Sequence, residues 1–302
     1  MTPVPHERRH VSIQFFLFLP QMRLDFDGLV RRARAAEEHG FRGIALMDHL
    51  APPMAEASPM FEAMVAATWI AAHTDRLIVS HLVLCDALRH PAMLARQAVG
   101  LDHASGGRFE LGLGWGSVPE ELVRFGVNDD PPRARVQRMG ESLELIRALW
   151  SGEPVNFDGA FFQVTDAQQM PRPIGEIPIV IGGSGPRTLE LVARHADWWN
   201  LPVHQLHRLE RLRERVGDAR VSTQHMVAYV PSEEDRAKVT ELSTRRFGMM
   251  GDGLVLGNGE ELIEHFAGLA ERGVERCYVW FTDFADPASL AGFGDEVISA
   301  LA

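Results

Sequence analysis

Two adjacent residues, Asp48 and His49, have the types and the spacing for proton transfer. They follow a short apolar run, Gly43–Met47, at the point where a loop begins. An imidazole beside a carboxylate at the end of a strand can move a proton to or from a bound molecule. The alternative is a loop in which Asp48 caps backbone groups and His49 is solvated. Position alone leaves both interpretations open.

A second group of residues has the composition of a wall for a flat ligand. Gly114, Trp115 and Gly116 follow the apolar run Arg108–Leu113. Glycine lets a backbone approach a ring system without interference from a Cβ atom. Trp115 could stack on such a ring or simply shield the mouth of the fold. A short glycine pattern of this kind is, on its own, a weak signal.

The strongest local signal is a glycine-rich turn between a strand and a helix. Gly182, Gly183, Ser184 and Gly185 follow an apolar run and precede Pro186, a residue suited to the first position of a helix. Free N–H groups and the helix dipole at such a turn bind phosphate. The turn lacks the lysine of a Walker-A loop and the spacing of a dinucleotide fingerprint. A tight turn that binds nothing is the alternative.

Composition excludes several classes of protein. The 41 acidic residues outnumber the 30 basic ones, which argues against nucleic acid or an anionic membrane as the main partner. Lys238 is the only lysine and lies in a charged stretch, so Schiff-base, pyridoxal-phosphate and Walker-A chemistry are excluded. Two cysteines, without HExxH or CxxC motifs, give no support to a metal site. No apolar run approaches the ~18 residues of a membrane span, so we expect a soluble, cytoplasmic protein.

Short apolar runs that alternate with amphipathic stretches must position these residues. The candidate strands are Ser12–Leu19, Gly43–Met47, Leu77–Leu84, Arg108–Leu113, Ile177–Ile181, Trp198–Leu201, Thr223–Tyr229 and Arg276–Phe281. Helical spacing between them, as in Phe26–His39, completes βα units, and continuous apolarity is typical of parallel strands buried on both faces. We therefore predict an α/β fold in which residues 1–302 form one TIM barrel. A polar insertion at about 151–176 follows the fourth barrel helix. A doubly wound open sheet is the alternative.

Seven segments in this order resemble the bacterial luciferase-like monooxygenase family. They are Ala35–Phe41, Met47–His49, Arg89–Pro91, Leu101–Arg108, Leu111–Gly114, Arg147–Gly152 and Ile181–Pro186. The resemblance covers about Ile13 to Asn200 and is looser beyond. It implies a TIM barrel with an insertion after the fourth helix, which matches the spacing of the runs. Family members use reduced FMN with oxygen or the deazaflavin coenzyme F420, and this chain looks most like the F420 branch.

The resemblance assigns roles position by position. It implies that Asp48 and His49 lie beside the deazaflavin ring and that Leu82 and Val83 form a bulge, often with a cis peptide, behind it. By the same resemblance, Gly114, Trp115 and Gly116 lie along the ring and ribityl chain, and Gly182, Gly183, Ser184 and Gly185 form the phosphate turn.

One position departs from the family pattern. Some F420 enzymes of this family carry a glutamate proton donor directly after the glycines of the fourth strand, where this chain has Ser117. The nearest acids are Glu120 and Glu121. With Asp48 and His49, Glu120 is therefore the sequence-based candidate for catalysis, and the identity of the general acid stays open.

Three functions remain open at this stage. The first is an F420-dependent oxidoreductase that transfers a hydride between the deazaflavin and an uncharged, partly apolar substrate. The second is an FMN-dependent monooxygenase that works with a separate flavin reductase, and the third is a non-catalytic flavin-binding relative. Substrate walls are expected at Leu50–Phe61 and Ser151–Gln169, which carry no basic residue. A homodimer is expected, because relatives are commonly dimers and Phe61–His73 is apolar on more than one side.

Overall fold

The chain folds into an α/β barrel. The structure is a computed structural model that describes residues 12–53, 55, 57–127 and 130–302, apart from the side chain of residue 252. Its strands are β1 (Gln14–Phe18), β2 (Gly43–Leu46), β3 (Ile78–His81), β4 (Leu84–Cys85), β5 (Leu111–Gly114), β6 (Val155–Asp158), β7 (Gln163–Ala167), β8 (Ile179–Gly182), β9 (Trp198–Leu201), β10 (Arg220–Tyr229), β11 (Leu254–Gly257) and β12 (Arg276–Phe281).

Helices alternate with the strands of the barrel. The α-helices are α1 (Phe26–Glu38), α2 (Ala63–Ala71), α3 (Pro91–Ser105), α4 (Pro119–Arg124), α5 (Pro132–Trp150), α6 (Pro186–His195), α7 (Leu209–Arg213), α8 (Arg236–Phe247), α9 (Gly259–Glu271), α10 (Pro287–Phe293) and α11 (Ser299–Leu301). Short 3-10 helices cover Asp86–Leu88, Val203–Arg208 and Gly248–Gly253, and Gly294–Ile298 forms a turn of π-helix. No helix in the described part of the chain is long and apolar enough to cross a membrane.

Ten strands form one parallel sheet that curls into a barrel. Its order is β3-β2-β1-β12-β10-β9-β8-β5-β4, with β11 beside β10. β3 and β4 are two pieces of one strand position, and β4 pairs with β5. A parallel bridge between Val79 and Phe109 joins β3 to the residues just before β5. Eight strand positions therefore surround one interior, which confirms the TIM barrel and excludes an open doubly wound sheet.

The structure corrects several sequence-based boundaries. Trp198–Leu201 and Arg276–Phe281 are strands with the predicted limits, whereas Leu77–Leu84 is interrupted at residues 82 and 83. Arg108–Leu113 becomes a strand only from Leu111. The predicted insertion contains an antiparallel hairpin, β6 with β7, that its polar sequence did not reveal. Strand β11 was also missed, because a run of four residues ending in glycine gives too short a pattern.

Alternation along the strands separates the helix-facing layer from the barrel interior. On β1, Phe15 and Leu17 pack in the large core under the helices, whereas Phe16 and Phe18 point into the barrel. A period of two is what a pleated strand imposes. The apolar runs are continuous because both faces of each strand are buried, in agreement with the sequence-based interpretation.

A buried ion pair closes the interior at the end where the parallel strands begin. The guanidinium of Arg276 donates to both carboxylate oxygens of Glu110, at 2.6 and 3.0 Å. Its central carbon lies 3.8 Å from the ring centroid of Phe16 and 3.7 Å from that of Trp198. The guanidinium also donates to Oε1 of Gln14 and to the hydroxyl of Tyr278, so hydrogen bonds and two aromatic faces satisfy this charge in the interior. That end of the barrel is therefore filled, and any site must lie at the opposite end.

Candidate active site

A cavity of about 400 Å³ opens at the carboxyl ends of the barrel strands. The side chains and backbone that line it are those of Asp48, His49, Leu82, Val83, Leu84, Cys85, Gly114, Trp115, Gly116, Ser117, Val118, Glu121, Leu122, Gly182, Gly183, Asn200, Pro202, Val203, His204, Gln224, Met226, Met250 and Gly253. None of these described residues is a lysine or an arginine. The loops after barrel strands are where TIM-barrel enzymes carry their sites.

The bulge at Leu82 and Val83 forms one wall of the cavity. The peptide bond between these two residues is cis, as the family resemblance implied. The bulge presses against the next strand, where a Cβ atom on Gly114 would lie 2.5 Å from Cγ2 of Val83. Two residues earlier in β5, a Cβ atom on Gly112 would lie 1.8 Å from the carbonyl oxygen of His81. These glycines are therefore required by the close approach of two strands, in addition to any contact with a ligand.

Asp48 is held by an ion pair beneath the cavity wall. Arg89 donates to its two carboxylate oxygens at 2.5 and 3.0 Å, and the backbone N–H of Cys85 donates at 2.8 Å. Arg89 also donates to Glu62 at 2.5 Å. Both oxygens of the Asp48 carboxylate thus accept hydrogen bonds, and they connect the end of β2 to the end of β4 and the segment after it. Its position lines the cavity, but this arrangement suits it to a structural role more than to proton transfer.

His49 is paired with Glu121 on the wall of the cavity. Its Nδ1 atom lies 2.8 Å from Oε2 of Glu121, and only 19% and 11% of the two side chains are exposed. The other oxygen of Glu121 accepts from the backbone N–H groups of Leu50 and Ala51, at 2.5 and 3.0 Å. Within the described residues, Nε2 of His49 makes no hydrogen bond. This nitrogen is therefore available to a molecule in the cavity.

The sequence-based candidate Glu120 lies outside the cavity. It sits on α4 directly before Glu121, but its side chain is exposed to solvent. Successive residues of a helix point about 100° apart, so only one of two neighbouring acids can face the site. Leu122 is buried, and Val118 and Glu121 line the cavity, which sets the phase of the helix. Ser117, at the position of the family's proton donor, also lines the cavity.

The predicted phosphate turn is only partly at the cavity. Gly182 and Gly183 line it, whereas Ser184 and Gly185 lie beyond its edge, at the beginning of α6. The N–H group of Gly183 donates to the carbonyl oxygen of Asn200 at 3.1 Å and is not free. In the described structure the N–H groups of Ser184 and Gly185 make no such bond. Any anion at this turn would be held by those two groups and by the helix dipole.

Several cavity residues were missed by sequence reasoning. Asn200 on β9 and Gln224 on β10 line the cavity, and the amide nitrogen of Asn200 donates to Oγ of Ser222 at 3.3 Å. Met250 comes from the short helix after α8. A single amide inside an apolar strand has no spacing that marks it as functional. The expected walls at 50–61 and 151–169 contribute no residue to the cavity, and residues 54 and 56 lie outside the described part of the chain.

His81 has the structural role that its place in an apolar strand favours. It is fully buried, and Nε2 lies 3.3 Å from the carbonyl oxygen of Ala63. Burial in an apolar environment lowers its pKa to about 4, so the ring is neutral at physiological pH. It faces α2 and not the cavity, which excludes it from the candidate site.

Comparison with known proteins places the chain among relatives. It is 35% identical over 181 residues to an F420-dependent glucose-6-phosphate dehydrogenase of Microbacterium testaceum, a match over 60% of this chain and 52% of that protein. The chain therefore spans about half the length of that relative. It is 30% identical over 230 residues to an uncharacterized protein of Mycobacterium tuberculosis, covering 68% of this chain and 77% of that one.

The same fold and the same family emerge from two further comparisons. An F420-dependent secondary alcohol dehydrogenase, solved with an F420-acetone adduct, superposes with a TM-score of 0.83 at 19% identity, over 96% of this chain and 99% of that one. At this identity the likeness shows the fold. The model of the luciferase-like monooxygenase family matches residues 10–240. The chain belongs to the luciferase-like monooxygenase family.

Proposed function

We propose that the protein is an F420-dependent oxidoreductase that transfers a hydride between the deazaflavin and an uncharged, partly apolar substrate. The observation that carries the proposal is a cavity with backbone-lined walls into which a single paired histidine, His49, points. The relative named as an F420-dependent dehydrogenase supports the choice of cofactor.

The residues present fit a deazaflavin. The bulge at Leu82 and Val83, together with Gly114 and Gly116, offers backbone surfaces to a flat ring, and Trp115 lies at the same wall. The carboxamides of Asn200 and Gln224 can donate to and accept from the polar edge of such a ring.

The phosphate fits the turn at the start of α6. Gly182 and Gly183 would let the ribityl chain pass along the strand end, because a Cβ atom on Gly182 would meet nothing closer than 3.9 Å. Ser184 and Gly185 would supply the N–H donors for the phosphate. We propose this division of roles in place of four equivalent donors, because the N–H of Gly183 is already bonded to Asn200.

In this proposal the cofactor supplies the hydride chemistry and the chain supplies position and proton transfer. Nε2 of His49 takes the hydroxyl proton of an alcohol as its carbon is oxidised, and returns it when a carbonyl is reduced. Glu120 is not assigned a role, and Glu121 is the carboxylate that pairs with His49 at the site. Asp48, neutralised by Arg89, keeps the end of β2 in place.

An uncharged substrate agrees with the charges around the cavity. The two carboxylates that line it, Asp48 and Glu121, are paired with Arg89 and His49, and no described lining residue is a lysine or an arginine that would bind a phosphorylated or carboxylated substrate. Leu122, Val203, Met226 and Met250 add apolar surface. A simple alcohol or ketone with an apolar body fits these walls better than a sugar phosphate.

We also propose a homodimer. Helix α2 buries Met64 and Ile70 against its own barrel, yet leaves Val65 and Trp69 exposed at 58% and 44%. A helix that is apolar on two sides is usually covered on both. Light scattering should give twice the mass of the chain at micromolar concentration, and a monomer would contradict this part of the proposal.

Replacing His49 by alanine tests the proposed chemistry. Turnover of a secondary alcohol with F420 should fall at least a hundredfold, because general acid–base groups contribute ~10²–10⁴-fold. The equilibrium affinity for F420 should change less than tenfold. Weaker binding with nearly intact turnover would show that His49 only shapes the loop, and would overturn its assigned role.

A further inference from the structure

We infer that Glu121 is a positioning residue that fixes the tautomer of His49 and locks the loop after β2 onto α4. This inference rests on the proposed function, because it concerns the histidine assigned to proton transfer. It differs from the pattern of some F420 enzymes of the family, in which a glutamate stands directly after the glycines of the fourth strand. Here that place is Ser117, and the acid comes from the first turn of the following helix.

The hydrogen bonds around Glu121 decide which nitrogen of His49 carries the proton. Oε1 accepts two backbone N–H groups, those of Leu50 and Ala51, and Oε2 lies 2.8 Å from Nδ1 of His49. An ionised carboxylate can only accept hydrogen bonds, so in this contact Nδ1 is the donor. In the neutral ring Nε2 is then the acceptor, and it is the nitrogen left for the cavity. The ring is thus arranged to accept a proton from a substrate.

The same contacts connect two loops that follow different strands. Leu50 and Ala51 follow β2, whereas Glu121 follows β5, and no strand pairing joins these two strands. Leu122 is buried and Pro119 occupies the first turn, so α4 has a fixed phase that aims Glu121 at His49. Both side chains of the pair are mostly buried, which limits competition from water.

The pair has a defined task in the oxidation of an alcohol. A bound deazaflavin would supply the hydride acceptor for the carbinol carbon, and Nε2 of His49 would take the hydroxyl proton. The imidazolium that results is stabilised by the Glu121 carboxylate on its far side. Glu121 acts through His49, because its two carboxylate oxygens are occupied by Nδ1 of His49 and by the N–H groups of Leu50 and Ala51.

Glu121→Gln is the variant that separates tautomer control from shape. The amide keeps an oxygen for the N–H groups of Leu50 and Ala51, but it presents an NH₂ donor to Nδ1, which favours the tautomer with the proton on Nε2. We expect kcat to fall at least tenfold, about 1.4 kcal/mol, while KM and F420 affinity change less than threefold. Glu120→Gln removes the same charge from the exposed side of the same helix and is the matched control.

A measurement on the protein without cofactor makes the inference independent of the proposed activity. Nitrogen-15 spectra of the histidine rings should show His49 with its proton on Nδ1 in the wild type and on Nε2 in Glu121→Gln. An Nε2-protonated ring in the wild type, or equal losses of kcat in the two glutamate variants, would overturn the inference. Absence of turnover with F420 in the wild type, with the expected tautomer present, would instead contradict the proposed function. The thermal midpoint of each variant verifies that it is folded.

Discussion

Two sides of the barrel interior are built from opposite kinds of residue. On the side of β12, β1 and β2, the interior is filled by large side chains that include Phe16, Phe18 and Tyr278, with Trp280 beside them. On the side of β5 and β8, the strands end in Gly114 and Gly182, and both glycines line the cavity. The interior is thus filled on the side of β12, β1 and β2, the filled half, and open on the side of β5 and β8, the emptied half. The position of the cavity is thus decided by side-chain volume along the strands.

The filled half should be responsible for stability and the emptied half for binding. Phe18 is 4% exposed, and its ring centroid lies 5.3 Å from that of Trp280. Phe18→Ala should lower the free energy of unfolding by ~3–5 kcal/mol, the usual cost of such a cavity. Urea denaturation measures this loss. The F420 affinity of the folded variant should stay within threefold of that of the wild type. A larger loss of affinity would contradict the assignment of binding to the emptied half alone.

Next to the emptied half, a side chain at Gly112 should destabilise the protein, because β5 and β3 lie in close contact there. Gly112→Ala places a Cβ atom 1.8 Å from the carbonyl oxygen of His81. This oxygen belongs to the backbone of β3, so the clash can be relieved only by a shift of the strand. We expect a loss of about 3 kcal/mol in unfolding free energy, at the upper end of overpacking costs. Gly100→Ala in α3 is the control, because its Cβ atom would meet nothing within 4 Å. Equal stabilities for the two variants would contradict the close approach of β3 and β5.

Acidic pH should lower the free energy of unfolding through a buried histidine that lies in neither half. His225 on β10 faces α9, next to His265, and burial lowers the pKa of His225 to about 3. The pKa in the unfolded chain is higher, near 6.5, so protons bind the unfolded state preferentially as the pH falls below that value. Between pH 7 and pH 5 the free energy of unfolding should drop by ~2 kcal/mol.

A matched variant identifies the source of this acid sensitivity. His225→Leu should flatten the dependence of unfolding free energy on pH, because it removes the buried group that cannot accept a proton when folded. His81, whose pKa burial lowers to about 4, would retain a dependence of similar size and the same sign. An unchanged slope in His225→Leu would place the acid-sensitive group elsewhere.

The smallest expected effect concerns the phosphate turn. Gly183 has φ = +125°, which side chains rarely adopt, and a Cβ atom there would lie 3.1 Å from Cγ2 of Thr188. Gly183→Val should therefore shift the turn and lower F420 affinity about tenfold, or 1.4 kcal/mol. Isothermal titration of the folded variant measures this, and unchanged affinity would move the phosphate away from the turn.

The sequence predicts most of the barrel because its strands are buried on both faces. Trp198–Leu201 and Arg276–Phe281 are recognisable as continuous apolar runs with their correct limits. The hairpin of β6 and β7 is not, since its polar residues alternate with little burial. A bulge at residues 82 and 83 could be expected only from the family resemblance.

The site is predictable to the level of elements but not of side-chain direction. Asp48 and His49 are at the cavity, as their place after β2 indicates. The choice between Glu120 and Glu121 depends on the phase of a helix of six residues, which no periodicity reveals. Asn200 and Gln224 were missed because an isolated amide in a strand has no motif. Three-dimensional proximity, and not spacing, identifies such residues.

Titration of the protein with F420 and, separately, with FMN tests the central claim most directly. The emptied half of the barrel, with the turn at Gly182–Gly185, should bind F420 with micromolar or tighter affinity and FMN more weakly. Tighter binding of FMN, together with oxygen uptake in the presence of a flavin reductase, would contradict the account and identify an FMN-dependent monooxygenase instead.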